Sequence, residues 1–71
     1  MRQHDPPIPS AGFSAQTERI LFAAGLRRMS DLARLTEPEI RALPRVGQRR
    51  LREIVEVLNE YGMHFAQQGR S

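Results

Sequence analysis

Apolar residues recur along this 71-residue chain in short groups spaced three or four apart, with turn-forming residues between the groups. Ser14 is a candidate N-cap for a first helix over 15–24, with Ile20, Leu21 and Ala24 as its inward stripe. Gly25 is placed to stop that helix. Leu26 opens a short connection to Ser30, read as the cap of a brief helix over 31–35. Thr36, Glu37, Pro38 and Glu39 combine a capping box with a proline in the first turn, which predicts another short helix over 36–43. Pro44 should stop it, because its ring clashes with the preceding turn and it carries no N–H. The last and longest helix is predicted over 48–60, with Leu51, Ile54, Val55 and Leu58 on its inner face and Gly62 as its stop. Met29, Met63 and Phe65 are expected in the core. No stretch alternates apolar and polar residues over a strand's length with β-branched enrichment. The expected fold is all-α: a compact bundle of four to five short helices with a helix-hairpin-helix.

Pro6, Pro7, Pro9, Ser10 and Gly12 crowd the start of the chain. They predict a flexible Pro-rich arm or linker over 1–13, whose Ile8 and Phe13 are its candidates for docking. A helical domain over 14–66 and a frayed tail over 67–71 complete the expected organisation.

Composition narrows the chemistry. There is no cysteine, hence no disulfide and no thiolate metal site. His4 and His64 have no partner at metal-ligand spacing. No nucleophile–base pair and no phosphate loop with its lysine is present, so no catalytic residue, cofactor or metal is assigned. No apolar run approaches the roughly 20 residues that cross a bilayer. The prolines after residues 1–5 do not read as a signal peptide, so cytoplasmic residence is the expectation. The net charge is +3, and all 11 basic residues are arginine. A basic balance favours polyanionic partners. The exclusive use of arginine speaks as much for coding bias as for forked phosphate contacts, so the position of each arginine tells more than its identity.

Those positions converge on residues 43–54. Here a helix end, a hairpin around Gly47 and the start of the last helix lie among Arg45, Arg49, Arg50 and Arg52. A helix start carries free N–H groups and the positive end of the dipole, which together attract anions. Arg52 is also spaced to pair with Glu56 at i, i+4. Tyr61 is the one residue suited to stacking on a base, and it stands away from the hairpin.

The arrangement resembles the C-terminal domain of the bacterial RNA polymerase alpha subunit. The resemblance is carried by Asp31-Leu32, Thr36-Glu37, Pro44, Val46-Gly47, Leu51, Glu53-Ile54, Val57-Leu58 and Gly62, without gaps over residues 13–66. Repair-type hairpins read G-h-G; here Arg45 takes the place of the first glycine, as a non-glycine does in the alpha family. The resemblance implies a SAM-domain-like helical fold and weak, cytoplasmic, nucleoid-associated binding to the A·T-rich minor groove of double-stranded DNA. It implies no catalysis by the domain itself. RNA polymerase, sigma factor and transcription activators are the implied protein partners, and a monomer is expected. Carried over by position, the implied DNA-binding residues are Gln16, Arg19, Ile20, Gly47, Arg49, Arg50 and Glu53. Glu53 is expected to organise neighbouring arginines, since a carboxylate repels phosphate.

Two departures stand out. Gln16 occupies the position of the family's minor-groove arginine, so A·T-rich readout weaker than the family's is expected, with Arg19 as a partial substitute. Arg50 occupies the position of a serine. The alpha subunit's large assembly domain has no counterpart in 71 residues, which leaves an excised domain or a free-standing paralogue. The competing expectation is a protein-interaction module that contacts polymerase, sigma factor or activators without strong DNA binding.

Overall fold

The computed structural model describes residues 5–67; the first four residues of the predicted arm and residues 68–71 of the predicted tail lie outside the described residues. A 3-10 turn at Ile8–Ser10 precedes four helices: α1 (Ala15–Ala23), α2 (Met29–Ala33), α3 (Glu37–Arg41) and α4 (Gly47–Glu60). Among the described residues there is no strand, only isolated bridges between Pro7 and Arg28 and between Thr36 and Ala66. The all-α expectation holds.

Local chemistry explains most boundaries. Ser14 accepts from the Thr17 N–H and starts α1, as predicted. Thr36 and Glu39 form the predicted capping box at α3, with Glu39 Oε1 accepting from the Thr36 N–H at 2.8 Å. Both α1 and α4 close with Schellman pairs. The N–H of Leu26 reaches Leu21 O at 3.0 Å, and that of Met63 reaches Leu58 O at 2.9 Å.

Several expectations need correction. Ser30 does not cap α2; it lies inside the helix, which starts at Met29. The N-cap is Arg28, and Asp31, the third residue of the helix, reaches back so that its Oδ2 accepts from the N–H groups of Arg27 at 2.9 Å and Arg28 at 3.1 Å. Pro44 does not end α3, which already stops at Arg41 with Ala42 as C-cap. Ala24 is exposed, and the inward positions of α1 are Thr17 and Leu21, one helical turn apart. On α4, Val57 joins Leu51, Ile54 and Leu58 in the core, while Val55 is half-buried. Arg52 and Glu56 form no ion pair; the ion pairs among the described residues are Arg28 with Asp5 and Arg41 with Glu37.

The largest correction concerns the predicted arm. Residues 5–13 are part of the globule. Ile8 is fully buried, and Ala11 and Phe13 are buried beside it in the same core as Leu21, Met29, Leu32, Ile40 and Ile54. The segment is stitched to the start of α2. Ile8 donates to Arg27 O at 2.8 Å, Met29 donates to Pro6 O at 3.2 Å, and Asp5 Oδ1 accepts from the Ser30 N–H at 2.9 Å. The prolines explain the mistaken expectation. They forbid helix and strand ladders, yet they also stiffen a chain that burial can hold in place. At the other end, Met63 and Phe65 pack partly buried against the core, and Ala66 donates to Leu35 O at 2.8 Å.

Candidate nucleic-acid interface

The hairpin between α3 and α4 has an unusual backbone. Arg45 has φ 71° and Gly47 φ 59°, while Val46 between them has φ −66°. The right-handed Val46 followed by the left-handed Gly47 is the dihedral order of an anion-binding nest, with the Val46 N–H itself donating to Leu43 O at 3.4 Å. Gly47 suits its conformation because it has no Cβ; Arg45 adopts a left-handed conformation at a cost of about 1–2 kcal/mol.

The helix that follows is built against its own dipole. No side chain caps α4, its first turn has no acidic residue, and its last turn has no basic residue. Arg49, Arg50 and Arg52 cluster near the positive end, Glu56 and Glu60 toward the negative end. The three other helices recruit carboxyl or hydroxyl oxygens to their starts. Cations at a helix start lower stability, by about 0.3–1 kcal/mol each when exposed. Residues that work against the fold in this way are candidates for binding.

Between α1 and the hairpin runs an open groove of about 480 Å³. Arg19, Arg45 and Arg50 line it together with Gln16 and Ile20, and Ala23, Leu43 and Pro44 supply apolar surface. No carboxylate occurs among the described residues that line it. Arg19 and Arg45 are exposed and have no ion-pair partner among the described residues. Arg50 is half-buried, and its Nη2 donates to Gln16 Oε1.

Of the seven sequence-derived site residues, Gln16, Arg19, Ile20 and Arg50 thus share one groove. Gly47 and Arg49 stand at its hairpin end, outside the lining. Glu53 stands outside the groove lining, and its hydrogen bonds come from Ser14 and Thr17 rather than from an arginine. Its Oε2 accepts from the Ser14 N–H at 2.7 Å, and its Oε1 accepts from the buried Thr17 hydroxyl at 2.6 Å. It therefore fastens the middle of α4 to the start of α1. Burial alone would raise its pKa; the donors on Ser14 and Thr17, aided by the Arg50 charge, outweigh this and hold it below the ordinary carboxylate value. Sequence reading missed Arg45 as a groove residue. Its signal was present in the hairpin position, but its left-handed backbone becomes visible only in the fold.

Among the described residues no group of three or more acidic, histidine or cysteine side chains is gathered to hold a metal ion. No described helix is long and apolar enough to cross a membrane.

No protein-family model matches the chain. A DNA-directed RNA polymerase subunit alpha from Salinibacter ruber is 34% identical over 59 residues, which is 83% of this chain and 18% of that subunit. The chain spans less than a fifth of the relative it matches. This agrees with the resemblance drawn from Asp31-Leu32, Thr36-Glu37 and the hairpin. Across most of its length the chain is similar to a short segment of a bacterial RNA polymerase alpha subunit.

Proposed function

We propose that this chain is a DNA-binding module of the transcription machinery, of the alpha C-terminal type. The observation that carries the reading is the groove in which Arg19, Arg45 and Arg50 meet without a carboxylate in the described lining. The uncapped start of α4 at Gly47 would hold one phosphate backbone, with Arg45 and Arg49 beside it. The start of α1, with Gln16, Arg19 and Ile20, would face the minor groove. Similarity to an RNA polymerase subunit supports a role beside the polymerase, in the cytoplasm and at the nucleoid, and the domain itself needs no catalytic group.

If three or four phosphates are neutralised, log K falls with log salt at a slope of about −3. An amide-shift titration with A·T-rich duplex at low salt tests the reading. Shifts confined to residues 14–20 and 45–53 are expected. A spectrum unchanged at millimolar duplex sinks it.

One observation favours the second reading, a protein-interaction module for polymerase, sigma factor or activators. Phe22 on α1 is 43% exposed, the large hydrophobic most at odds with solvent among the described residues. A polymerase complex retained by an Arg49→Ala, Arg50→Ala double variant but lost by Phe22→Ser, in a chain without duplex-dependent shifts, would favour it.

A further inference from the structure

Ser30 joins the first segment of the chain to α2. Its hydroxyl donates to Asp5 Oδ2 at 2.8 Å and its N–H donates to Asp5 Oδ1 at 2.9 Å, so one carboxylate takes both donors of one serine. Arg28 Nε stands 3.6 Å from the same Oδ2. Beside this contact, the Met29 N–H donates to Pro6 O. The order of residues is Arg27-Arg28-Met29-Ser30, with both arginines exposed and the serine half-buried. No other serine or threonine of the chain has arginine at both the third and the second position before it. Kinases choose among hydroxyls by flanking charge of this kind. None of Arg27, Arg28 and Ser30 lines the arginine groove, so the DNA-binding reading leaves all three unused.

We propose that Ser30 is a phosphorylation site for a kinase that selects arginines ahead of its acceptor, and that the phosphate unfastens Asp5 and Pro6 from α2. The Ser30 oxygen attacks the γ-phosphorus of ATP, and the bond from that phosphorus to the β,γ-bridging oxygen breaks. ADP leaves, and the hydroxyl proton passes to the kinase's catalytic carboxylate. Before transfer the hydroxyl donates to Asp5. Afterwards it has no proton to donate, and a group of charge about −1.5 to −2 stands against the Asp5 carboxylate. Like charges at that distance repel, so Asp5 leaves and Arg28 exchanges one anion for the other. The kinase acts on the minority of molecules in which the Asp5 contact is open, and the phosphate keeps it from closing again. Ile8, Ala11 and Phe13 stay in the core through burial, so the segment loses its polar attachment and the fold remains.

The test incubates the 71-residue chain with magnesium, ATP and the catalytic subunit of cyclic-AMP-dependent protein kinase, a probe that selects arginine at these two positions. Peptide mapping by mass spectrometry should find one phosphate, on Ser30, and none on a Ser30→Ala chain. Replacing Arg27 and Arg28 together by alanine should slow the transfer. In the phosphorylated chain, hydrogen exchange at the Met29 and Ser30 N–H groups should quicken about tenfold, the scale of one hydrogen bond to a charged group. Exchange in the middle of α4 should not change. In an Asp5→Asn chain the asparagine amide donates to the phosphate oxygens, so phosphorylation should leave exchange at Met29 and Ser30 nearly as it was. Folded wild-type chain left unmodified at Ser30 overturns the site. Phosphorylation that does not alter exchange at Met29 and Ser30, or that quickens it equally in Asp5→Asn, overturns the unfastening. The wild-type chain decides both points even where a variant does not fold. No step involves the groove, so the DNA-binding reading stands or falls separately.

Discussion

At Arg45 a bulky side chain sits on a backbone that glycine would adopt more easily. The left-handed φ of 71° costs Arg45 about 1–2 kcal/mol. Arg45→Gly removes that strain but returns about 0.5–1 kcal/mol of unfolded-chain entropy. The urea midpoint of Arg45→Gly should therefore stay level or rise slightly, while duplex affinity falls with the lost charge. A loss of more than about 1 kcal/mol would mean that the conformation is not strained. Gly47 provides the opposite case. A Cβ there meets no atom within 4 Å, so space is not what demands glycine. Gly47→Ala should still lose about 1 kcal/mol, from the left-handed backbone alone. Gly47 is readable in the sequence because glycine declares such conformations. Arg45 is not, because nothing in an arginine announces a positive φ.

α4 is an element whose charge order favours binding over stability. Arg49→Glu puts an anion at its positive end, and melting should rise by the equivalent of about 0.5 kcal/mol. The same change should remove most of the duplex-induced amide shifts. A variant both less stable and unimpaired in binding would refute this reading of the helix start. Element by element, the sequence is legible wherever chemistry is local. Ser14, Thr36 with Glu39, Gly25 and Gly62 each signal through neighbours within a few residues. Asp31 reads as the first residue of a helix and is instead its third, reaching back to the N–H groups of Arg27 and Arg28, because the Asp5 and Pro6 contacts to Ser30 and Met29 start the helix earlier. Glu53 is the costlier misreading. Its partners Ser14 and Thr17 lie 39 and 36 residues away, and no spacing rule reaches that far. The groove itself can be anticipated as two patches, one in α1 and one in the hairpin. They meet where Glu53 fastens α4 to the start of α1 and where Leu21, Val46 and Leu51 share one core.

On the scale of the whole molecule, three carboxylates hold distant or neighbouring segments together in their charged form. Asp5 is kept below its ordinary pKa first by the Ser30 hydroxyl, with further help from the Ser30 N–H and Arg28 that outweighs burial. Asp31 is lowered by the N–H groups of Arg27 and Arg28. Glu53 is lowered by its bonds to Ser14 and Thr17 in spite of burial. In all three the unfolded chain binds protons more readily than the folded one. Stability should thus be level above about pH 5 and decline as pH falls through the ordinary carboxylate range toward the depressed folded values. Melting temperatures measured from pH 7 to pH 3 check this, and Asp5→Asn should flatten part of the decline. A melting temperature that rises on acidification would contradict it. Charge pattern reveals acids in the sequence, but which of them are paired becomes clear only once the first segment is seen to belong to the core.

That buried first segment also decides where anything joined ahead of Asp5 would leave the molecule. Such an attachment emerges beside Arg28 and Ser30, neither of which lines the arginine groove. A dye or affinity handle placed there should spare the groove. Cutting the chain back to Ser14 for the same purpose would strip Ile8, Ala11 and Phe13 from the interior and leave a greasy scar that invites self-association.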